Sequence, residues 1–537
     1  MFRPLSFLLL ICACLLPRLS AAADDDQAAL VTKGRLLYLQ HCVICHQGNG
    51  QGTPGTFPPL AKSDYLMAKP ENSIRAVVEG LSGRITVNGS NYNNTMPPIL
   101  LTDEQVAAVL TFARNTWGNS GDAITPSLVG EVRARSRFKT YAALKAAADY
   151  APLPKPPEGF TIREVARFTE NPIKLALKPG ARELYMVSGP GNIWRVETSG
   201  RVTQVLRGEQ YLEPQRGNAD VQGFNFDKTG RLFVTSNRRL EKTRPLVTNE
   251  VTIYRSVSAA QPFVLEPYFR VYYPWGVGGF NHGVSHIAQG PDGFLYATSG
   301  ARTDGSEPSR DPRYYNGGEV DLTACVWRFP TDGATAPEIF ASGLRNSVGF
   351  CWNDAGQMFA TDNGPDADMP EELNVLEKGK HYGFPMQFGD STTKPYDYTP
   401  ATSPGQTFTR PVVNLGPAGG FAGQSISTFD PHSSPAGIFY CGSNASPASL
   451  RDSFLVTRYG NLLKRDPDVG FDLLQMRVKK TATGYAAETT TWLAPLARPI
   501  DVVQHNGAFY VLEYSRPLNH KGDVPMLPGR LLELKAR

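Results

Sequence analysis

Cys42, Cys45 and His46 form the pattern Cys-x-x-Cys-His. Two thiols on one turn can bond the vinyl groups of a haem, and the imidazole directly after them can ligate its iron, so the pattern reads as a covalent c-type haem attachment site. Without that histidine, Cys-x-x-Cys would serve equally as half a zinc site or as a redox dithiol. Downstream, Met96 lies in the loop Asn94-Thr95-Met96-Pro97-Pro98, which presents a thioether on a rigid exit. Haem iron in electron-transfer sites often takes methionine opposite histidine. With His46 and Met96 both on the iron, such a haem carries electrons and binds no substrate, so chemistry on a substrate belongs elsewhere in the chain.

Helices must position these ligands. Residues 27–40 carry Leu30, Val31 and Leu37 at helical spacing, with Gly34 small enough for another helix to pack closely. Thr102-Asp103-Glu104-Gln105 is a capping-box start, followed by Val106, Val109, Leu110, Ala113 and Trp117 at helical spacing. Helix, haem motif, Met-Pro loop and closing helix stand in the order of a small class I cytochrome c, which residues 24–120 resemble. Residues 121–157 read as a junction. Residues 129–150 are alanine-rich, charged and helix-like, and Ala151-Pro152-Leu153-Pro154-Lys155-Pro156-Pro157 is stiff extended linker.

At 537 residues the chain exceeds one ordinary core. Its 54 basic and 50 acidic residues leave a formal net charge of +4 with no basic stripe, so nucleic-acid binding has no footing. Arg3, an apolar run from Phe7 to Leu16 and small residues at 20–23 predict a signal sequence over residues 1–23. That run is too short to span a bilayer, and the expectation is an exported, periplasmic protein with no transmembrane segment. Of seven cysteines, Cys325, Cys351 and Cys441 remain after the signal and the haem motif, allowing at most one disulfide.

Residues 158–537 repeat a unit of strand, tight turn, strand. The second strands begin at Glu183, Arg231, Phe294, Gln357, Ser453 and Ala508, four of them directly after a glycine. The fold class predicted is thus an all-α cytochrome c domain followed by an all-β six-bladed propeller, with long inserts in blades two to four. If every hairpin turn points to one face, residues before the first strands and after the second strands share the other. That face collects Asn281 and His282, Arg345 and Asn346, Asp362-Asn363-Gly364-Pro365, Arg458 and Arg498. A histidine, an acid and three arginines near one axis suit an anionic ligand.

The ordered set His282-Gly-Val-Ser-His-Ile-Ala, Gly343-Leu-Arg-Asn, Asp362-Asn-Gly-Pro-Asp, Glu371-Glu-Leu-Asn, His381-Tyr-Gly-Phe-Pro and Pro431-His-Ser-Ser-Pro resembles the soluble glucose and sorbosone dehydrogenase family. The resemblance covers most of residues 158–537. It implies a propeller that holds pyrroloquinoline quinone (PQQ) and Ca2+ and oxidises a sugar hydroxyl or aldehyde, with an external electron acceptor such as a cytochrome or copper protein. His282 matches the family's catalytic base, and Arg345 and Asn346 match its quinone contacts. Gly364 and Pro365 match the turn whose carbonyls face calcium, and Arg498 matches a carboxylate-binding arginine; Arg458 is placed at the quinone by location alone. Two positions depart from the family: Ala301 stands where an acid often orients the base, with Asp304 as its candidate replacement, and Ile500 replaces a second arginine. These departures keep open a binding propeller without catalysis, and a non-sugar alcohol remains open as substrate.

Overall fold

The computed structural model of the chain describes residues 16–537, apart from 54–55, 242–245, 278–280, 310, 392, 417–427, 462–467, 519–521 and 523. Most of the expected signal sequence lies outside the described residues. The chain divides into two units, Met1–Tyr150 with Lys521–Met526, and Ala151–His520 with Leu527–Arg537.

The first unit is helical. Helix α1 (Leu16–His41) leads into the single turn α2 (Val43–His46); α3 (Asp64–Met67), α4 (Pro70–Glu79) and α5 (Asp103–Arg114) follow. The capping box at the start of α5 forms as the sequence predicts, Thr102 and Gln105 exchanging side-chain-to-backbone hydrogen bonds at 2.9 and 3.4 Å. Gly34 lets α1 touch α5: a Cβ there would sit 2.0 Å from the Ala108 carbonyl oxygen and 2.7 Å from Phe112 Cβ. Tyr38, Phe112 and Trp117 pack their rings 4.9 to 5.4 Å apart beside this crossing.

Helices α6 (Pro126–Ala134) and α7 (Tyr141–Asp149) form where the sequence reads as a junction. Val129 and Val132 enter the same core as Val106 and Leu110, and Arg133 Nε lies 2.6 Å from Asp103. Residues 121–150 therefore belong to the helical unit and residues 151–157 to the second. The cause is an apolar face that a charged, alanine-rich composition obscures. Pro152 is held to the second unit by Arg530 Nη2, 2.9 Å from its carbonyl oxygen.

Among the described residues the second unit is a ring of six sheets, antiparallel except where Val413–Asn414 runs parallel to Gly484–Leu493, with one further two-stranded pair of Ser515–Arg516 and Leu527–Pro528. Second strands occupy Leu184–Ser188, Leu232–Leu240, Leu295–Ser299, Met358–Asp362, Ser453–Arg458 and Ala508–Glu513, within a residue of the predicted starts. Five of them are buried at every residue because a neighbouring sheet covers each face. The core lies between blades; Phe233, Ile253, Ile287, Leu295 and Trp327 form one such layer. Buried threonines on the second strands stitch blades together: Thr235 Oγ1 donates to Ser285 O at 2.9 Å and Thr361 Oγ1 to Ala436 O at 2.8 Å. The ring closes by pairing Phe160–Arg167 with Arg530–Ala536, Leu534 opposite Ile162.

The predicted inserts resolve differently. Blade two uses its extra length in strands of 11 and 14 residues. Blade four has three strands, and the chain after Leu376 runs on until Pro435, lending Val413–Asn414 to the edge of blade five. Among the described residues, no helix is long and apolar enough to cross a membrane.

Candidate functional site

In the helical unit, the turn after α1 brings Cys42 and His46 to the wall of an almost wholly apolar pocket, and Cys42, Cys45 and His46 to a second opening beside it. Met96 lines both. His46 Nδ1 lies 3.0 Å from the Pro58 carbonyl oxygen, so it carries the proton and Nε2 is left as the ligand nitrogen. Burial holds the His46 imidazole below its ordinary pKa, in the neutral form that metals require. Met96 is fixed by a reciprocal backbone pair with Leu81, 2.8 Å in both directions. Paired thiols, a tautomer-locked imidazole and a thioether around an apolar cavity fit a covalently held haem.

In the propeller, hydrogen bonds join the rim positions predicted to meet. His282 N donates to Ala301 O at 3.1 Å, and Ala301 N donates to Arg345 O at 2.7 Å. A Cβ on Gly300 would lie 2.4 Å from His282 Cβ and 3.3 Å from Asn346 Oδ1, so the base candidate, the glycine after the hairpin and Asn346 share one spot. His282 is held well below the ordinary histidine range, first by burial and then by the Arg345 charge. Asp362 anchors the neighbouring turn by accepting from Arg345 N at 2.9 Å, Asn346 N at 2.7 Å and Ser347 Oγ at 3.2 Å. Burial pushes its carboxyl up to about 6 against those hydrogen bonds.

Asp304, the candidate partner for His282, reaches Arg345 instead: Arg345 Nη2 is 2.5 Å from its Oδ1. Gly364 and Pro365 follow Asn363, whose N–H donates to Asn346 O at 3.2 Å. Carbonyl oxygens crowd this turn, with Pro370 O 2.7 Å and Met369 O 3.2 Å from where a Gly364 Cβ would be. Glu371 and Glu372 lie in the next strand region, and burial pushes both carboxyls up to about 8, so neither is a solvated surface acid. Among the described residues no three His, Cys, Asp or Glu side chains are grouped for a metal, so a cation here would rest chiefly on backbone oxygens, a donor set that suits Ca2+.

The arginines separate. Arg458 grips Asp472 through two bonds of 2.9 and 2.7 Å and Asp430 through a third of 3.1 Å, so the expectation of a quinone contact there meets a guanidinium already neutralised by protein acids. Arg498 is 5% exposed and in left-handed backbone at φ 55°; it stacks on Tyr459 and Phe471 and reaches the Gly460 and Asn461 carbonyls at 3.4 and 3.5 Å. Among the described residues none of its partners is a carboxylate, which fits a cation kept for an anionic ligand. Ile500 packs into the blade core. His286 lies edge-on to Phe350 with ring centroids 4.5 Å apart, His432 bonds Asp368 at 2.7 Å, and His381 accepts from Gly383 N at 3.1 Å. Cys325, Cys351 and Cys441 are free thiols pushed up by burial.

A haem-ready helical unit joined to a six-bladed propeller with a histidine–arginine rim defines a cytochrome-linked propeller protein of dehydrogenase type. The glucose / sorbosone dehydrogenase family profile matches residues 169–462, and the cytochrome c profile matches residues 31–117. The chain belongs to the glucose / sorbosone dehydrogenase family and carries a cytochrome c domain ahead of it. Cytochrome c-552 of Thermus thermophilus is 44% identical over 92 residues, 16% of this chain and 70% of that protein. The cytochrome c subunit of a quinone alcohol dehydrogenase from Gluconobacter oxydans is 33% identical over 106 residues, 18% of this chain and 22% of that subunit. The PQQ-bound aldose sugar dehydrogenase of Streptomyces coelicolor is 21% identical with a TM-score of 0.47, covering 71% of this chain and 99% of that one.

Proposed function

We propose that the protein is an exported quinohaemoprotein dehydrogenase that oxidises a sugar or related alcohol or aldehyde at PQQ on the propeller and passes electrons through haem c to an external acceptor, a cytochrome or copper protein. The observation that carries this reading is the meeting of a partly buried imidazole at His282, held in its neutral form, with the guanidinium of Arg345 and the amide of Asn346 on one rim. Bound there, the quinone supplies a two-electron acceptor and the haem a one-electron one. His282 takes the proton of the substrate hydroxyl; being neutral at working pH, it is ready to do so. Arg345 and Asn346 would hold the quinone and offset negative charge as it is reduced, and Arg498 would hold a cofactor carboxylate. The carbonyls of Gly364 and Pro365 would hold Ca2+, a hard cation that accepts oxygen ligands. His46 and Met96 would hold the haem iron between them, leaving it no open position for substrate. Covalent haem attachment and the apolar N-terminal run support export to the periplasm.

The test follows haem absorbance of the full chain with and without added PQQ and Ca2+, against a panel of sugars, alcohols and aldehydes. Haem reduction by at least one of them only when both are added is expected; haem that stays oxidised throughout refutes the reading. Ala301 favours one alternative, a binding propeller tethered to a cytochrome, because no acid directly follows the Gly300 beside His282. Quinone bound tightly with no haem reduction would select that alternative.

A further inference from the structure

Asp304 lies in the loop after the second strand of blade three, where its N–H donates to Glu307, yet its carboxylate is met from blade four and its insert. Its backbone carbonyl accepts from Arg345 Nε at 3.2 Å and its Oδ1 takes Arg345 Nη2 at 2.5 Å, while Arg345 Nη1 donates to Asn363 O at 3.2 Å. Three donors of one guanidinium are thus fixed in direction, and the Arg345 side chain is only 6% exposed. The carboxylate is itself held from two sides. The Asp366 N–H donates to both its oxygens, at 3.1 and 3.3 Å, and the Tyr396 hydroxyl donates to Oδ2.

The direction of that last bond is set by a third partner. The Ala367 N–H, 3.0 Å away, donates to the Tyr396 hydroxyl, which leaves the hydroxyl proton for Asp304. Tyr396 cannot drift: its ring lies where a Cβ on Gly305 would come within 2.7 Å, and its other face stacks on Tyr398 with centroids 4.8 Å apart and planes 14° apart. Burial and the adjacent Asp304 carboxylate push the phenol well above its ordinary range, so it stays a donor.

We infer that Asp304, locked by Tyr396 from the blade-four insert, is the positioning residue for Arg345, fixing where its guanidinium meets the substrate side of the rim. The inference rests on the dehydrogenase reading for its kinetic consequence, though not for its geometry. An unbraced arginine would sample several rotamers, and misplacement of a charge-stabilising group by about 1 Å costs about 100-fold in rate.

The test uses full-length, haem-loaded wild type, Asp304→Asn and Tyr396→Phe, each crystallised, and each assayed by haem reduction after addition of PQQ and Ca2+. In Asp304→Asn, the guanidinium is expected to leave the Asn363 carbonyl, and kcat to fall about 10- to 100-fold with KM changed by less than about threefold. Tyr396→Phe is expected to give a smaller fall in kcat with the same unchanged KM. An unmoved guanidinium in Asp304→Asn, an unchanged kcat, or a rise in KM alone overturns the inference. Should Asp304→Asn fail to fold, Tyr396→Phe carries the same readouts. If wild type reduces no haem with any substrate, the functional reading fails, and the crystals alone decide whether Asp304 holds Arg345.

Discussion

His282 decides whether the propeller rim can accept a proton. Burial and the Arg345 cation both disfavour its charged form, placing its pKa well below 6.5. The acid limb of kcat/KM is therefore expected to have its midpoint below 6.5, and His282→Gln to lower kcat by about 100- to 10,000-fold without altering the haem spectrum. His286, also depressed by burial, should affect stability alone. Below pH 6.5 the unfolded chain protonates this histidine while the folded chain does not, so folding loses stability as pH falls. His286→Phe is expected to reduce the drop in unfolding midpoint between pH 7 and pH 5, by up to about 1.4 kcal/mol per pH unit, read from denaturant melts of wild type and variant. At this scale the rim positions of His282, Arg345 and Arg498 were legible because each stands at a fixed offset from a strand. The pairing of Arg458 was not legible, because the acids that meet its guanidinium, Asp430 and Asp472, come from elsewhere in the chain.

Among the elements, the α1–α5 crossing has the least tolerance. Gly34→Ala would push a methyl into the Ala108 carbonyl, and it is expected to destabilise the helical unit by about 1–3 kcal/mol, seen as a lower melting temperature at the haem absorbance. Helix α5 was legible from its cap and apolar spacing, and the second strands from runs of apolar residues after glycine. The packing of α6 was not, since its core contacts, Val129 and Val132, are sparse among alanines and charges. The blade-four insert carries no periodicity. Its role emerges only where Tyr396 meets Asp304.

On the scale of the whole molecule, two chemistries are divided between two units. Met96→Ala is expected to lower the haem potential in a redox titration, because loss of the thioether removes the ligand that raises it. It should slow delivery to a protein acceptor far more than to a small dye taking electrons directly from the propeller. Ring closure makes the second unit cooperative: the first strand, Phe160–Arg167, completes the sheet of the last, Arg530–Ala536. Leu532→Asp in that sheet would bury an unpaired charge, and it is expected to cost about 3 kcal/mol or more in a denaturant melt. The amino-acid sequence by itself determined the haem-attachment motif, the six blades and the rim positions, because each depends on spacing along a single segment. Tertiary structure alone decided which charges are spent and which are held ready. Arg458 is neutralised, Arg498 meets no carboxylate among the described residues, and Arg345 is braced by Asp304, because ion pairing is set by distance in space between residues far apart in the chain.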